Sequence, residues 1–256
     1  MLKAILLLLL ALGCPAVIAA SCQARSGSQT AALVELYTSE GCSSCPPADR
    51  WLSGLAAQGY GADRVVPLAL HVDYWDYIGW KDPYAKREFS QRQRKLTRLQ
   101  RQALVYTPQV MLQGKDFRGW GSKAFDTEVA RVNAQPARAH LALEIRAMGK
   151  DAIELAVAAE LTAPVAGDEP ALYVAAYQNR LQSEVRAGEN RGRTLDHDYV
   201  VLEWQGPFAF QAGRRVVETL KVPLVPRATV AESGVAAFVQ NRRTGEVLQA
   251  LMRPGC

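Results

Sequence analysis

Two cysteines separated by two residues and followed at once by two prolines, Cys42-Ser43-Ser44-Cys45-Pro46-Pro47, come three residues after a continuous apolar run from Ala31 to Thr38. That run reads as a strand buried on both faces, and Ser39-Glu40-Gly41 reads as the tight turn that ends it. Proline suits the first turn of a helix, where its missing N–H breaks no helical bond, and Trp51, Leu52 and Leu55 supply an apolar helical face beyond it. The expected order is strand, turn, helix, with the cysteines at the helix N-terminus. Backbone N–H groups there stabilise an anion and lower a thiol's pKa. Cys42 is therefore the expected nucleophile, and Cys45, one turn later, the thiol that resolves a mixed disulfide. The Ser-Ser spacer carries no positive charge, so nothing marks the pair as an unusually strong oxidant. A C-x-x-C is also half of a zinc site, but no second C-x-x-C and no H-x3-H occur in the chain.

Val65 to Val72 is a second continuous apolar strand. Asp82 to Gln102 is polar and charged, with Phe89, Leu96 and Leu99 in helical register, and reads as one long helix or two short ones. Tyr106 to Leu112 is a third strand, interrupted by Pro108, and Ala124 to Asn133 is a closing helix. Pro136 marks a change of pattern. Beyond it the period becomes two, with alternating runs starting near His140, Ala152, Ala171, Tyr199, Arg214, Val235 and Val247. Short strands at this spacing favour an antiparallel β-sandwich. The expected fold is an α/β domain over residues 31–135 followed by an antiparallel β-sandwich domain over residues 138–254. Residues 21–30 read as a polar leader that precedes the fold.

Lys3, the apolar stretch Ala4 to Leu12 and the small residues Ala19, Ala20 and Ser21 have the layout of a secretory signal peptide. Residues 1–20 would then be removed, taking Cys14 with them. Lipoprotein processing at Cys14 or Cys22 is the alternative, although neither has Leu three residues before it. Both routes lead to a periplasmic or secreted protein, where disulfides persist. Five cysteines in 256 residues are too few for a disulfide-built scaffold. Outside the C-x-x-C, Cys22 and Cys256 are either free terminal thiols or a bridge closing almost the whole mature chain. The net charge of +5 is spread along the chain and does not indicate nucleic acid. No apolar interval reaches the roughly 18 residues that span a bilayer. The expected partners are protein thiols or disulfides in the exported compartment; no cofactor is called for.

The segments Val34 to Asp49, His71 to Asp82 and Tyr106 to Gln109 resemble an exported family catalogued as domain of unknown function 1223, and Gly188 to Leu195 extends the similarity into the second half. The order strand, C-x-x-C-Pro, helix, strand, helix and Thr107-Pro108 opening another strand also resembles the thioredoxin-like superfamily. That resemblance implies a thioredoxin-like domain over residues 31–135. It also implies a cis peptide before Pro108 facing the disulfide, with Thr107 offering backbone hydrogen bonds to an extended substrate. A trans-proline on an edge strand is the ordinary alternative. The Cys45 to Pro108 separation exceeds that of a minimal thioredoxin, so an insertion is expected between them. Such proteins often carry a buried acid in the preceding strand that accepts a proton from the second cysteine. Glu35 is the candidate here, one residue farther from Cys42 than the common spacing; a surface glutamate is the alternative.

His71 and Asp73 end the second strand and lead into Trp75 and Trp80. Groups at the carboxyl ends of strands line the crevice of an open α/β sheet. His71, Asp73, Trp75, Trp80, Thr107 and Pro108 thus form the expected substrate-binding set, the tryptophans as a platform and His71 shuttling a proton. The structural alternative has the aromatics capping the core and His71 as a hydrogen-bonded strand end. His71-x-Asp73 with a thiolate is also a metal-ligand pattern. Lys86, Arg87, Arg92, Arg94, Lys95, Arg98 and Arg101 read as a solvated helix face, or else as a docking surface for an acidic partner or membrane. Asp196-His197-Asp198 reads as a turn, and Gly188 to Leu195 as a loop able to fold back toward the first half. The expected function is an exported thiol-disulfide oxidoreductase with Cys42, Cys45 and Glu35 as catalytic residues. A Cu(I)-binding protein using the same thiolates and an interaction module with a static disulfide are the alternatives.

Overall fold

The computed structural model describes residues 22–148, 152–163, 169–210, 214–223 and 230–256. The expected signal peptide, residues 1–20 with Cys14, lies outside them. Strands dominate the described residues. An eight-stranded sheet runs in the order β14 (Val247–Pro254), β13 (Ser233–Asn241), β8 (Pro170–Gln178), β11 (Val200–Ala209), β3 (Val65–His71), β2 (Ala32–Thr38), β4 (Gln109–Leu112) and β5 (Lys115–Asp116). It takes four strands from each side of Pro136. The join between the halves is a parallel contact in which Val200 faces Ala69.

β2 is buried along its whole length because helices cover both of its faces. Ala32, Val34 and Leu36 pack with α1 (Pro46–Ser53) and α3 (Lys123–Asn133) on one face. Leu33 and Tyr37 pack with Phe89 and Leu96 of α2 (Arg87–Leu99) on the other. This is why β2 and β3 read as unbroken apolar runs. A fully buried leucine such as Leu36 or Leu52 contributes about 2 kcal/mol relative to an exposed one.

A four-stranded antiparallel sheet, β1 (Gln23–Arg25), β6 (Ala139–Met148), β7 (Ala152–Leu161) and β12 (Arg215–Pro223), packs on the same large sheet farther along. Leu141, Leu143, Leu155 and Val157 meet Leu172, Val174, Val235 and Ala237 across the interface. The sandwich expected from the period-two runs is present, and one of its layers continues into the strands of the first half. The residues read as a leader are part of this layer: Gln23–Arg25 pair with β6, and Gln29 bridges to Pro136. Gln249 pins them further, donating to the carbonyls of Gly27 and Gln29 and accepting from the Ala31 N–H. Of the two readings for the outer cysteines, the bridge is the one formed: Cys22 and Cys256 are joined, with Cα atoms 6.0 Å apart.

Candidate functional site

The turn after β2 is built from local hydrogen bonds. The Cys42 N–H donates to the Ser39 carbonyl, the Gly41 N–H to Ser39 Oγ and the Cys45 N–H to the Cys42 carbonyl. Cys45 is the N-cap of α1, with Pro46 and Pro47 in the first turn. Cys42 and Cys45 form a disulfide with Cα atoms 5.5 Å apart. Both are buried, at 1% and 0% exposure, while Ser43 and Ser44 between them are exposed. Gly41 is closely packed: a Cβ would lie 3.2 Å from Trp75 Cβ and 3.3 Å from Ile78 Cδ1, so these side chains would have to give by a few tenths of an ångström.

A strap from the second half lies against this turn. Asn190 is fully buried and its amide donates to the carbonyls of Glu40 at 2.8 Å and Cys42 at 2.9 Å. Glu189 Oε2 accepts a hydrogen bond from the Ser43 N–H; hydrogen bonding by the Ser43 side chain, and then by this N–H, holds its carboxyl below the usual range. Gly188 packs on Ile78 and Trp80 with φ +72°, a backbone conformation suited to glycine. Arg193 donates to Asn190 Oδ1 at 2.8 Å and so orients its amide.

Beneath the turn is a buried polar cluster. Glu40 accepts from Trp80 Nε1 at 2.7 Å and from His197 Nε2 at 3.1 Å, while its N–H donates to Asp82 Oδ2. Asp82 Oδ2 also accepts from His71 Nδ1 at 2.7 Å. These carboxylates fix one nitrogen of each imidazole. The other two, His71 Nε2 and His197 Nδ1, are buried without a hydrogen-bond partner among the described residues, and the rings meet edge to face with centroids 4.9 Å apart. Burial alone would push the His71 imidazole down, but Asp82, Asp49 and Glu40 outweigh it and hold its pKa above the ordinary value. Asp82 is pushed up by burial and pulled below its ordinary value by His71 and by the Glu40 and Tyr84 N–H groups. Asp49, one helical turn after Cys45, is also buried. Burial raises its carboxyl, against the opposing pull of His197, His71 and Thr38.

The expected residues separate into groups. Trp75 and Thr107 are together: Trp75 Nε1 donates to Thr107 Oγ1 at 2.7 Å, and Trp75 also packs on Gly41 beside Cys42. The Thr107–Pro108 peptide is cis. β2 pairs Tyr37 with Gln109, and extending that register by one residue sets Pro108 beside Thr38, at the base of the cysteine turn. Trp80 belongs to the site through Glu40. Three expectations are corrected. Glu35 is buried on the α2 face of the sheet, opposite α1, where Arg92 donates to both of its carboxylate oxygens; it does not serve Cys45. His71 is fully buried against Asp82 and does not present itself to a substrate. Asp73 accepts from Ser90 Oγ, and its N–H donates to the same hydroxyl, so it ties the 3-10 helix Asp73–Ile78 to α2.

Two further readings change. Arg92, read as part of a solvated face, is mostly buried. His197, read as a turn residue, ends β10 (Thr194–His197) and is buried. Asn190, Glu189, Glu40 and Asp49 were missed as site residues; the only hint was the resemblance around Gly188 to Leu195 and the C-x-x-C itself. Among the described residues no group of three or more His, Cys, Asp or Glu side chains converges to hold a metal ion.

Fold and site together define a β-rich protein with two intramolecular disulfides, one of them a C-x-x-C bridge at a strand-to-helix turn. The chain belongs to the family described as "Protein of unknown function (DUF1223)", whose model matches residues 33–240. It is similar to the crystal structure of protein AGR_C_4864 from Agrobacterium tumefaciens, with 26% identity and a TM-score of 0.64 over 90% of this chain and 97% of that one. It also resembles HBP35 of Porphyromonas gingivalis in fold, with 16% identity and a TM-score of 0.67 over 90% of this chain and 76% of that one. No curated protein matches the sequence. Among the described residues no helix is long and apolar enough to cross a membrane.

Proposed function

We propose that the protein is an exported thiol-disulfide oxidoreductase whose first half is thioredoxin-like. The observation that carries this reading is the Cys42–Cys45 disulfide at the N-terminus of α1, beside the end of β4 that Thr107 and Pro108 lead into. The sheet order β3-β2-β4-β5, with β2 and β3 parallel and β4 antiparallel, supports the thioredoxin-like part. So does the placement of α1 and α3 on one face and α2 on the other.

In the reducing direction, the Cys42 thiolate attacks one sulfur of a partner disulfide. That S–S bond breaks, a Cys42–partner bond forms and the leaving thiolate takes a proton. Cys45, deprotonated, then attacks Cys42 and releases the second partner thiol. The partner gains two electrons and two protons, and Cys42 and Cys45 return to the disulfide. The oxidising direction is the reverse. Asp49 replaces Glu35 as the group that takes the Cys45 proton: it lies one helical turn on from Cys45 in α1, and burial raises its carboxyl above the ordinary value.

Replacing Cys45 by Ala tests the proposal. The variant is expected to accumulate partners disulfide-linked to Cys42 that dithiothreitol releases. Absence of any trapped partner, together with no insulin reduction or disulfide isomerisation by the intact protein, would overturn it. A second reading, a static disulfide in an interaction module, is favoured by the burial of both cysteines beneath the Glu189–Asn190 strap. A reduction potential below about −300 mV would select it.

A further inference from the structure

On the opposite face of the large sheet from the cysteines, α2, β8, β11 and the β13–β14 hairpin enclose an open cavity of about 290 Å³. This is near the lower end of the range for small-molecule sites. Its wall is aromatic. Trp204 and Tyr173 lie 5.7 Å apart, each packs on Phe238, and the stack covers the Arg92 guanidinium, which is 4.6 Å from the Trp204 ring. Arg92 is held by Glu35 and Gln240 through Nε and Nη2 and forms the floor of the cavity.

The rim carries a different signal. Lys95 and Arg242 both line the cavity, and neither has an ion-pair partner among the described residues. Their proximity, with Arg92 below, adds to burial in lowering the Lys95 ammonium, and Glu169 offsets this only in part. Two cations converging on an apolar hollow, with no ion pair to a carboxylate among the described residues, is an arrangement that an anionic ligand would relieve. Leu96, Leu99 and Pro207 complete the apolar lining. Glu88 lines the cavity two helical turns before Lys95, about 10 Å away along α2. The cavity therefore has a cationic end and an acidic end. Beside it β11 bulges between Gln205 and Phe208. Gly206 has φ +114° in this bulge, and a Cβ there would meet the Leu172 carbonyl at 2.8 Å. Bulges of this kind re-aim neighbouring side chains and are common next to binding sites.

We infer that this cavity is a binding site for a small organic carboxylate with a flat apolar body, the carboxylate between Lys95 and Arg242 and the body against Trp204 and Tyr173. The site does not depend on the redox proposal, because the cysteines lie across the sheet. Benzoate and inorganic phosphate are suitable probes, followed by calorimetry and tryptophan fluorescence on the intact protein. Benzoate is expected to bind saturably and to quench fluorescence, with the quenching lost in W204F. K95M and R242M, at the rim, are expected to weaken benzoate roughly tenfold or more without lowering thermal stability, and K95R is expected to restore most of the affinity. The double variant C42A/C45A should bind as the parent does. No saturable benzoate binding, benzoate binding unchanged in K95M and R242M, or phosphate binding as tight as benzoate would each overturn the assignment.

Discussion

Glu189 Oε2 accepts a hydrogen bond from the Ser43 N–H at 2.9 Å, across 146 residues of sequence. That N–H belongs to the turn whose donors would otherwise stabilise a Cys42 thiolate. A carboxylate there both occupies the donor and repels a developing negative charge. In a C45A background, E189Q is therefore expected to lower the Cys42 thiol pKa and to speed its alkylation by iodoacetamide at neutral pH roughly two- to tenfold. E184Q, an exposed change on β9 (Leu181–Glu184), is the control. Equal alkylation rates with Glu and Gln at position 189 would remove Glu189 from the tuning of the site.

Asp49, as the proposed proton acceptor, should act on one step. D49N is expected to slow release of a partner from its Cys42 mixed disulfide by about tenfold or more, leaving the first attack by Cys42 little changed. Stopped-flow resolution of a fluorescent mixed disulfide separates the two steps. The same slowing in E35Q but not in D49N would restore Glu35 to the role.

The His71–Asp82 pair gives stability a pH signature. Because His71's native pKa is raised, its contribution is complete below its unfolded value of about 6.5 and is lost as pH climbs through the native value. Asp82, lowered in the native state, loses its contribution as pH falls through its native value. H71Q should therefore cost most near pH 6 and progressively less in alkaline buffer, read as urea midpoints across that range. A penalty that grows with pH would contradict the assignment.

Arg92 and Glu35 form a buried charge pair with Gln240 and the aromatic stack around it. Removing only one partner strands the other charge. R92M and E35Q are each expected to cost about 3–5 kcal/mol in denaturant unfolding, and the double change far less than their sum. Additive losses would mean that the two do not interact as the geometry indicates.

The elements that depend on nearby sequence were legible. The strand, turn and helix around Cys42 follow from an apolar run and two prolines, and the period-two runs showed that the second half was sheet. What was hidden depends on partners far along the chain. Asp196-His197-Asp198 has turn composition, and nothing local reveals that Glu40 receives His197 from 157 residues away. A basic run on a helix looks solvated because periodicity does not show that Arg92 meets a buried Glu35. Nor did alternation show that β11 would extend the first half's sheet through β3, since a strand's pattern records that a face is buried and not by what.

The Cys22–Cys256 bond spans 234 residues, so opening it through C22A/C256A should lower unfolding free energy by about 2–5 kcal/mol. Denaturant titration under non-reducing conditions would measure this, and unchanged stability would show that β1 and Gln249 hold the ends unaided. The bond also makes the described chain a covalent ring. A protease that cuts an exposed loop once inside that ring releases no fragment. The nicked protein gains only one water and stays a single covalent molecule until a reductant opens Cys22–Cys256, after which denaturation yields two pieces.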